Sequence, residues 1–267
     1  MLDAILDLRL DWPVLLLMTV GLALAYEVSF RIGKHRRRGE AIQAKKSQAD
    51  IAVGALLALL GLLLAFSFEI GAGRFDKRKD LVLAEADAIG TAYLQAGLVP
   101  DPWGAHIREL LRQYVQVRID MKSAGEFERA IKESDKLHSA LWIQAAGVAR
   151  ARPDSPIAAL LIASMNRMID LHEARVTVDR FERMPPAIFA SLYMVALFSL
   201  VMLGLRTGLD GERGALPAAT LIATIMCVMA LIASLDAPVS RIFHVSRHAI
   251  TATQRMMMTV QPDGSPK

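Results

Sequence analysis

The sequence predicts an all-α integral membrane protein, with four transmembrane helices in two hairpins and a helical juxtamembrane domain inserted between them. Three observations lead there. Of the 267 residues, 54% are hydrophobic although 22% are charged, so the apolar residues are gathered into blocks. Four blocks, 13–30, 51–68, 187–205 and 215–235, approach or reach the roughly 20 apolar residues that a helix needs to cross the hydrocarbon core. Between the second and third blocks, apolar residues recur at helical spacing and nowhere alternate usefully with period two. Backbone groups in lipid must be satisfied within the segment, so the four blocks are read as helices.

The elements follow in order. Residues 1–70 form the first transmembrane hairpin. Its leader carries Asp3, Asp7 and Asp11 and a basic block follows the first span, so that span is expected to be retained and not cleaved as a signal peptide. Glu27 is the one ionisable residue in the four windows. It lies near the end of its span, within reach of the interface, which favours a structural role over an ion pathway. Residues 71–186 form the helical domain, and the segment from Arg74 to Leu98 is expected to continue the second span with only Gly71 and Gly73 as interruptions. Ile107, Leu110, Leu111, Tyr114, Val117 and Met121 share one helix face. Arg108, Arg112 and Arg118 are expected largely on the other. Asp101 is placed to cap this helix after Pro100. Pro153-Asp154-Ser155-Pro156 marks the next break, with Asp154 or Ser155 as cap and Pro156 at the first helical position. Helices are predicted over 127–150 and 157–183. Residues 187–235 form the second hairpin, and 236–267 a juxtamembrane tail with a disordered end.

Several functional classes find no support. The pI of about 9.3 arises from Lys and Arg flanking the spans, which fits lipid headgroups and topology signalling better than nucleic acid. The single cysteine, Cys227, excludes a disulfide within one chain. Phosphate-loop, nucleophile-elbow and HExxH patterns are missing, so no catalytic residue, metal ligand or cofactor is assigned and no enzyme is expected. His244 and His248 read as polar residues of the tail, and Met256-Met257-Met258 as an apolar docking patch. His172, Glu173 and Arg175 read as a solvated or inter-subunit face. The loop 31–46 carries seven Lys/Arg against one acid, which places it in the cytoplasm by the positive-inside rule; basic groups beside the spans on the opposite side nearly cancel that count.

Ala58, Leu62 and Phe66 stack along one face of the second span. Around an axis, copies of that face would make apolar rings of the kind that gate ions by dewetting; in a lone helix the same spacing serves lipid or helix packing. The run LLLAFSFEIGAGRFDKRKDLV resembles the bestrophin anion-channel family, in which an apolar helix ends in an aromatic and an Arg followed by aromatics comes eight residues later, as Phe66 and Arg74-Phe75 do here. Asp236-Ala237-Pro238 after the fourth span is similar to that family's acidic–x–Pro signature. The closer resemblance is to the bacterial bestrophin-like membrane proteins, in Glu85-Ala86-Asp87-Ala88-Ile89, in Tyr114–Arg118, and in Asp236-Ala237-Pro238 with Val245-Ser246. It covers about residues 50–250.

This resemblance implies a multi-pass protein of the bacterial inner (plasma) membrane that assembles as a homo-oligomeric ring. Its neck would be Ala58, Leu62 and Phe66, its basic mouth Arg74, Lys77, Arg78 and Lys79, its permeant species inorganic anions, and its family-motif positions Glu85, Asp236 and Pro238. The family's double Trp is replaced by Phe75-Asp76, and the calcium-binding acidic cluster of its animal members has no counterpart. The family places the helical domain in the cytosol, opposite to the side that the 31–46 loop indicates. A non-conducting interaction or sensor protein, whose helical domain binds a partner, is the alternative.

Overall fold

The computed structural model describes residues 12–36, 42–120, 124–181, 183–211, 214–237 and 248–260. Among them it shows helices α1 (Trp12–His35), α2 (Ile42–Ala96), α3 (Trp103–Asp120), α4 (Ala124–Ala151), α5 (Pro156–Phe181), α6 (Pro186–Asp210), α7 (Ala215–Asp236) and α8 (His248–Thr259), and no strand. The expected helical class and the four membrane-crossing helices are therefore present: α1, α2, α6 and α7 are each long and apolar enough to span a bilayer. The chain divides into two compact units. One comprises residues 1–74 and 184–237, the other 75–183 and 238–267.

The membrane unit is built on close approach between α1 and α6. A Cβ built on Gly204 would sit 2.5 Å from the Tyr26 carbonyl oxygen, and one on Gly33 would sit 2.5 Å from that of Leu205. Gly208 is packed as closely against the backbone of α1 at Phe30. Lipid offers little hydrophobic gain for bringing two apolar helices together, so small residues that let backbones meet are the main source of affinity between them. Leu22, Leu60, Leu200, Ile222 and Met229 fill the space around this seam, drawn from all four spans. At the ends of the helices Lys46 pairs with Asp210 at 2.8 Å, and Arg206 contacts both Asp50 and Asp210. Glu27 forms a 2.9 Å pair with Arg31 one turn later, in keeping with a structural role.

α2 runs as one helix of 55 residues, about 80 Å at 1.5 Å per residue, and neither Gly71 nor Gly73 interrupts it. Its apolar part is the least covered span: 11% of its window is buried, against 22–39% in the other three.

The second unit is a helical domain made by the distal part of α2 with α3, α4, α5 and α8. Its start signals act as the sequence predicts. The Asp101 carboxylate accepts the Ala105 N–H at 3.1 Å, and the Ser155 hydroxyl accepts that of Ala158 at 3.4 Å, so two orphan amides at the helix starts are satisfied. Pro156 opens α5 where its missing N–H costs nothing. Ile107, Leu111 and Tyr114 are buried, Leu110 and Val117 partly so, and Met121 lies outside the described residues. Complete burial of Ile107 and Leu111 stabilises the domain by about 1.5–3 kcal/mol each.

The arginines depart from expectation. Arg112 is exposed, but Arg108 and Arg118 are buried. Arg118 lies four residues after Tyr114 and seven after Leu111, which is the apolar face itself. The segment read as a separate tail also contributes to this unit. Ile250 and Met257 of α8 enter its core, Tyr93 Oη donates to the Met257 carbonyl at 3.0 Å, and Gln254 Nε2 donates to Gln116 at 2.9 Å. Within the methionine triplet Met257 is docked on the domain's own core, whereas Met258 is exposed. His248 is exposed, and His244 and the terminal residues read as disordered lie outside the described residues.

Candidate functional site

The helical domain encloses a polar cluster centred on Glu85 of α2, whose side chain is completely buried. One carboxylate oxygen accepts the Tyr114 hydroxyl at 2.5 Å and lies 3.4 Å from Arg118 Nε. The other accepts Arg175 Nη1 at 2.6 Å. Arg175 in turn reaches Asp179 at 3.7 Å, one turn further along α5. Tyr114 Oη also meets His172 Nδ1 at 2.9 Å. Thus α2, α3 and α5 each send at least one polar side chain to a single point inside an apolar core. Ala86, Ala88 and Ile89, next to Glu85, pack into that core.

The electrostatics follow from the geometry. Burial acts to raise the Glu85 carboxyl, but Arg175, Arg118 and the bonds from His172 and Tyr114 together hold it well below the usual carboxylate range. Glu85 stands about 25 Å along the helix beyond the apolar window that ends at Phe68, so this is extramembrane chemistry. Burial and the neighbouring Glu85 charge push the Tyr114 phenol well above its ordinary value. Burial, with Arg175 beside it, lowers Arg118. Its three guanidinium nitrogens make no hydrogen bond with the described residues, and the Glu85 carboxylate is held against it by charge alone. Burial likewise raises Asp179, against the pull of Arg175 and Arg78.

On the other side of Tyr114 lies His138 of α4. Its ring is 4.9 Å from the Tyr114 ring and 4.7 Å from that of His172, the two imidazoles meeting edge to face. Burial, then the neighbouring His172, pulls the His138 imidazole down to about 4.

The structure corrects the reading of His172 and Arg175. They are buried inside one chain and form neither a solvated nor an inter-subunit face, while Glu173 points outward. A signal was available. Glu85, Tyr114 and Arg118 belong to two of the short segments that carried the family resemblance, and the fold brings those two into direct contact. His138 had no such signal, since its meaning depends on helix packing alone.

The predicted basic mouth divides. Arg74 is engaged with Asp236 at 3.3 Å, and Arg78 is buried in the helical domain near Asp179, so neither presents an open cation. Lys77 and Lys79 are exposed. Asp236 earns its place in the motif by closing the membrane unit. Its two carboxylate oxygens accept the Met184 N–H at 3.1 and 3.0 Å while also holding Arg74, which ties the end of α7 to the start of α6 and to α2. Pro238 lies outside the described residues, as do Val245 and Ser246. Asp236→Ala is expected to leave a buried amide and Arg74 without their acceptor and to cost about 1–3 kcal/mol. Thermal unfolding in detergent measures the loss, and an unchanged midpoint would remove this role.

The neck candidates lie in the membrane unit on one face of α2. Ala49, Leu60, Ser67 and Gly71 form the buried ridge of that helix. At 100° per residue Ala58 and Leu62 sit roughly 160° from that ridge and Phe66 about 120° from it, and Leu62 and Phe66 are 52% and 55% exposed. The exposed stripe continues through Ile51, Ala55, Glu69 and Gly73.

Four membrane-crossing helices joined to a buried-polar helical domain define a class of all-helical multi-pass membrane protein. The comparison with known proteins adds the family. A family model described as the Bestrophin-like domain matches residues 17–250, which is most of the chain, and the chain belongs to that family. Neither the curated proteins nor the solved structures that were compared contain a match.

Proposed function

We propose that this protein is an oligomeric anion channel of the bacterial inner membrane, with Ala58, Leu62 and Phe66 forming an apolar neck where several copies of α2 surround an axis. The observation that supports the reading is the direction of that face. It points away from the buried ridge by which α2 packs on its own chain, and α2 is the least covered span. A ring assembled on this face would place Leu62 and Phe66 in successive apolar constrictions, which exclude ions by dewetting until they widen. Exposed Lys77 and Lys79, further along the same helix, would raise the local anion concentration. Membership in the Bestrophin-like family agrees with this assembly. In this reading the protein is no enzyme.

The experiment is anion efflux from liposomes containing the purified protein, with particle images of the same sample. A closed ring and a Phe66→Ala variant that conducts at least about tenfold faster are the expected results, because truncation widens the narrowest apolar ring. A monomer or dimer without flux in either form would instead support the non-conducting interaction or sensor protein.

A further inference from the structure

Beside the polar cluster, and sharing His172 with it, lies a second arrangement that the channel reading leaves unused. Asp135 and His138 lie one turn apart on α4, and His172 lies on α5. One ligand atom from each of the three lies within 4.8 Å of the others. His172 is completely buried and His138 is 7% exposed, yet the Nε2 atom of each imidazole has no hydrogen-bond partner among the described residues. Two orphaned nitrogens on neighbouring rings in a core are costly unless something satisfies them.

The hydrogen-bond directions indicate what that partner is. The Tyr114 hydroxyl has a single hydrogen and gives it to Glu85 at 2.5 Å. Its contact with His172, at 2.9 Å, must then run the other way, with Nδ1–H donating to the phenol oxygen. In a neutral imidazole this leaves Nε2 as the lone-pair nitrogen. A histidine whose Nδ1–H is held by an oxygen that is itself held by a carboxylate has the outer support typical of a metal ligand. Asp135 is exposed and supplies the charge at the rim.

We propose that Asp135, His138 and His172 form a binding site for a divalent transition-metal cation, zinc being the type case. Two imidazoles and one carboxylate suit zinc, nickel or cobalt and discriminate against calcium and magnesium, which take mainly oxygen ligands. Metal–ligand bonds of about 2.0–2.2 Å bring ligand atoms to about 3.3 Å in a tetrahedron, so loading draws the three side chains inward. Three protein ligands leave a fourth position for water or an external ligand. Glu85 and Asp179 offset Arg118 and Arg175, and Asp135 adds a negative charge that compensates half of the cation's. The site joins α4 to α5, and through Tyr114 and Glu85 to α3 and α2, whether or not the protein conducts.

The test uses the full chain in detergent, stripped with chelator and titrated with Co2+ and Zn2+. About one equivalent of Co2+ should bind with ligand-field absorption and be displaced by Zn2+. Zn2+ should raise the unfolding midpoint, whereas Ca2+ and Mg2+ should not. His138→Ala should weaken Zn2+ binding at least about 100-fold, and Tyr114→Phe, which removes the support of His172, about 10–100-fold. Asp135→Asn keeps the fold safe, being an exposed change, and should also lower affinity and abolish the thermal shift. Absence of Co2+ binding by the wild type would overturn the proposal. So would undiminished binding in both Asp135→Asn and His138→Ala, since it would place the metal elsewhere.

Discussion

Replacing Glu85 by Gln is expected to destabilise the helical domain by about 3–5 kcal/mol, because it leaves two buried guanidinium groups without their shared counter-charge. Arg118 has no other anion within bonding reach among the described residues, and Arg175 keeps only the 3.7 Å contact with Asp179. For a unit of this size the loss corresponds to a fall of roughly 10 °C in unfolding midpoint. The measurement is made on the full chain with chelator present, so that metal loading does not enter. Glu173→Gln, an exposed change on the same polar stretch, should stay within about 0.5 kcal/mol.

The cluster's value is relative. Charges taken out of water need excellent geometry merely to recover their desolvation cost, and apolar replacements of similar volume often match them. The double variant Glu85→Leu with Arg175→Met should therefore regain part of what Glu85→Gln loses. If Glu85→Gln unfolds no earlier than Glu173→Gln, the cluster does not hold the domain together.

The second large effect lies in the membrane unit. Gly208→Val should separate α1 from α6 and cost at least about 2–3 kcal/mol, since even a Cβ there would meet the Phe30 carbonyl, the Lys34 amide at 2.8 Å and the Gly33 Cα at 2.9 Å. These neighbours are backbone and cannot step aside as a flexible side chain would. Gly61→Ala on α2 is the control, as nothing lies within 4 Å of a Cβ at that position, and alanine is the better helix former. Thermal stability in detergent and hydrogen exchange along α1 report the difference. Equal effects of the two substitutions would refute a packing role for Gly208.

Which parts of this were legible in advance depends on the range of the interactions. The four spans could be read because the bilayer imposes length and apolarity on each segment separately. The starts of α3 and α5 could be read because Asp101 and Ser155 act on amides within four residues. The continuity of α2 followed from the absence of a breaker stronger than two glycines.

The polar cluster was only half legible. Tyr114 and Arg118 stand on the apolar face by their own spacing, and charge alone misled the placement of Arg118 and Arg108. Arg78 was likewise read from its basic neighbours, when it is the fold that buries it. Nothing local distinguishes His138 from any histidine on a solvated helix, or connects it with a residue on another helix.

What the sequence by itself determined is the membrane class, the helices and the apolar face of α2, because periodicity and hydropathy are local properties of the chain. Only the tertiary structure decided that Glu85, Tyr114, Arg118, His172 and Arg175 meet, that Asp236 binds Arg74 and Met184, and that Asp135 and His138 stand beside His172. Each of those meetings brings together residues from separate elements of the chain, and the angle at which helices pack is set by side-chain shape summed over whole interfaces.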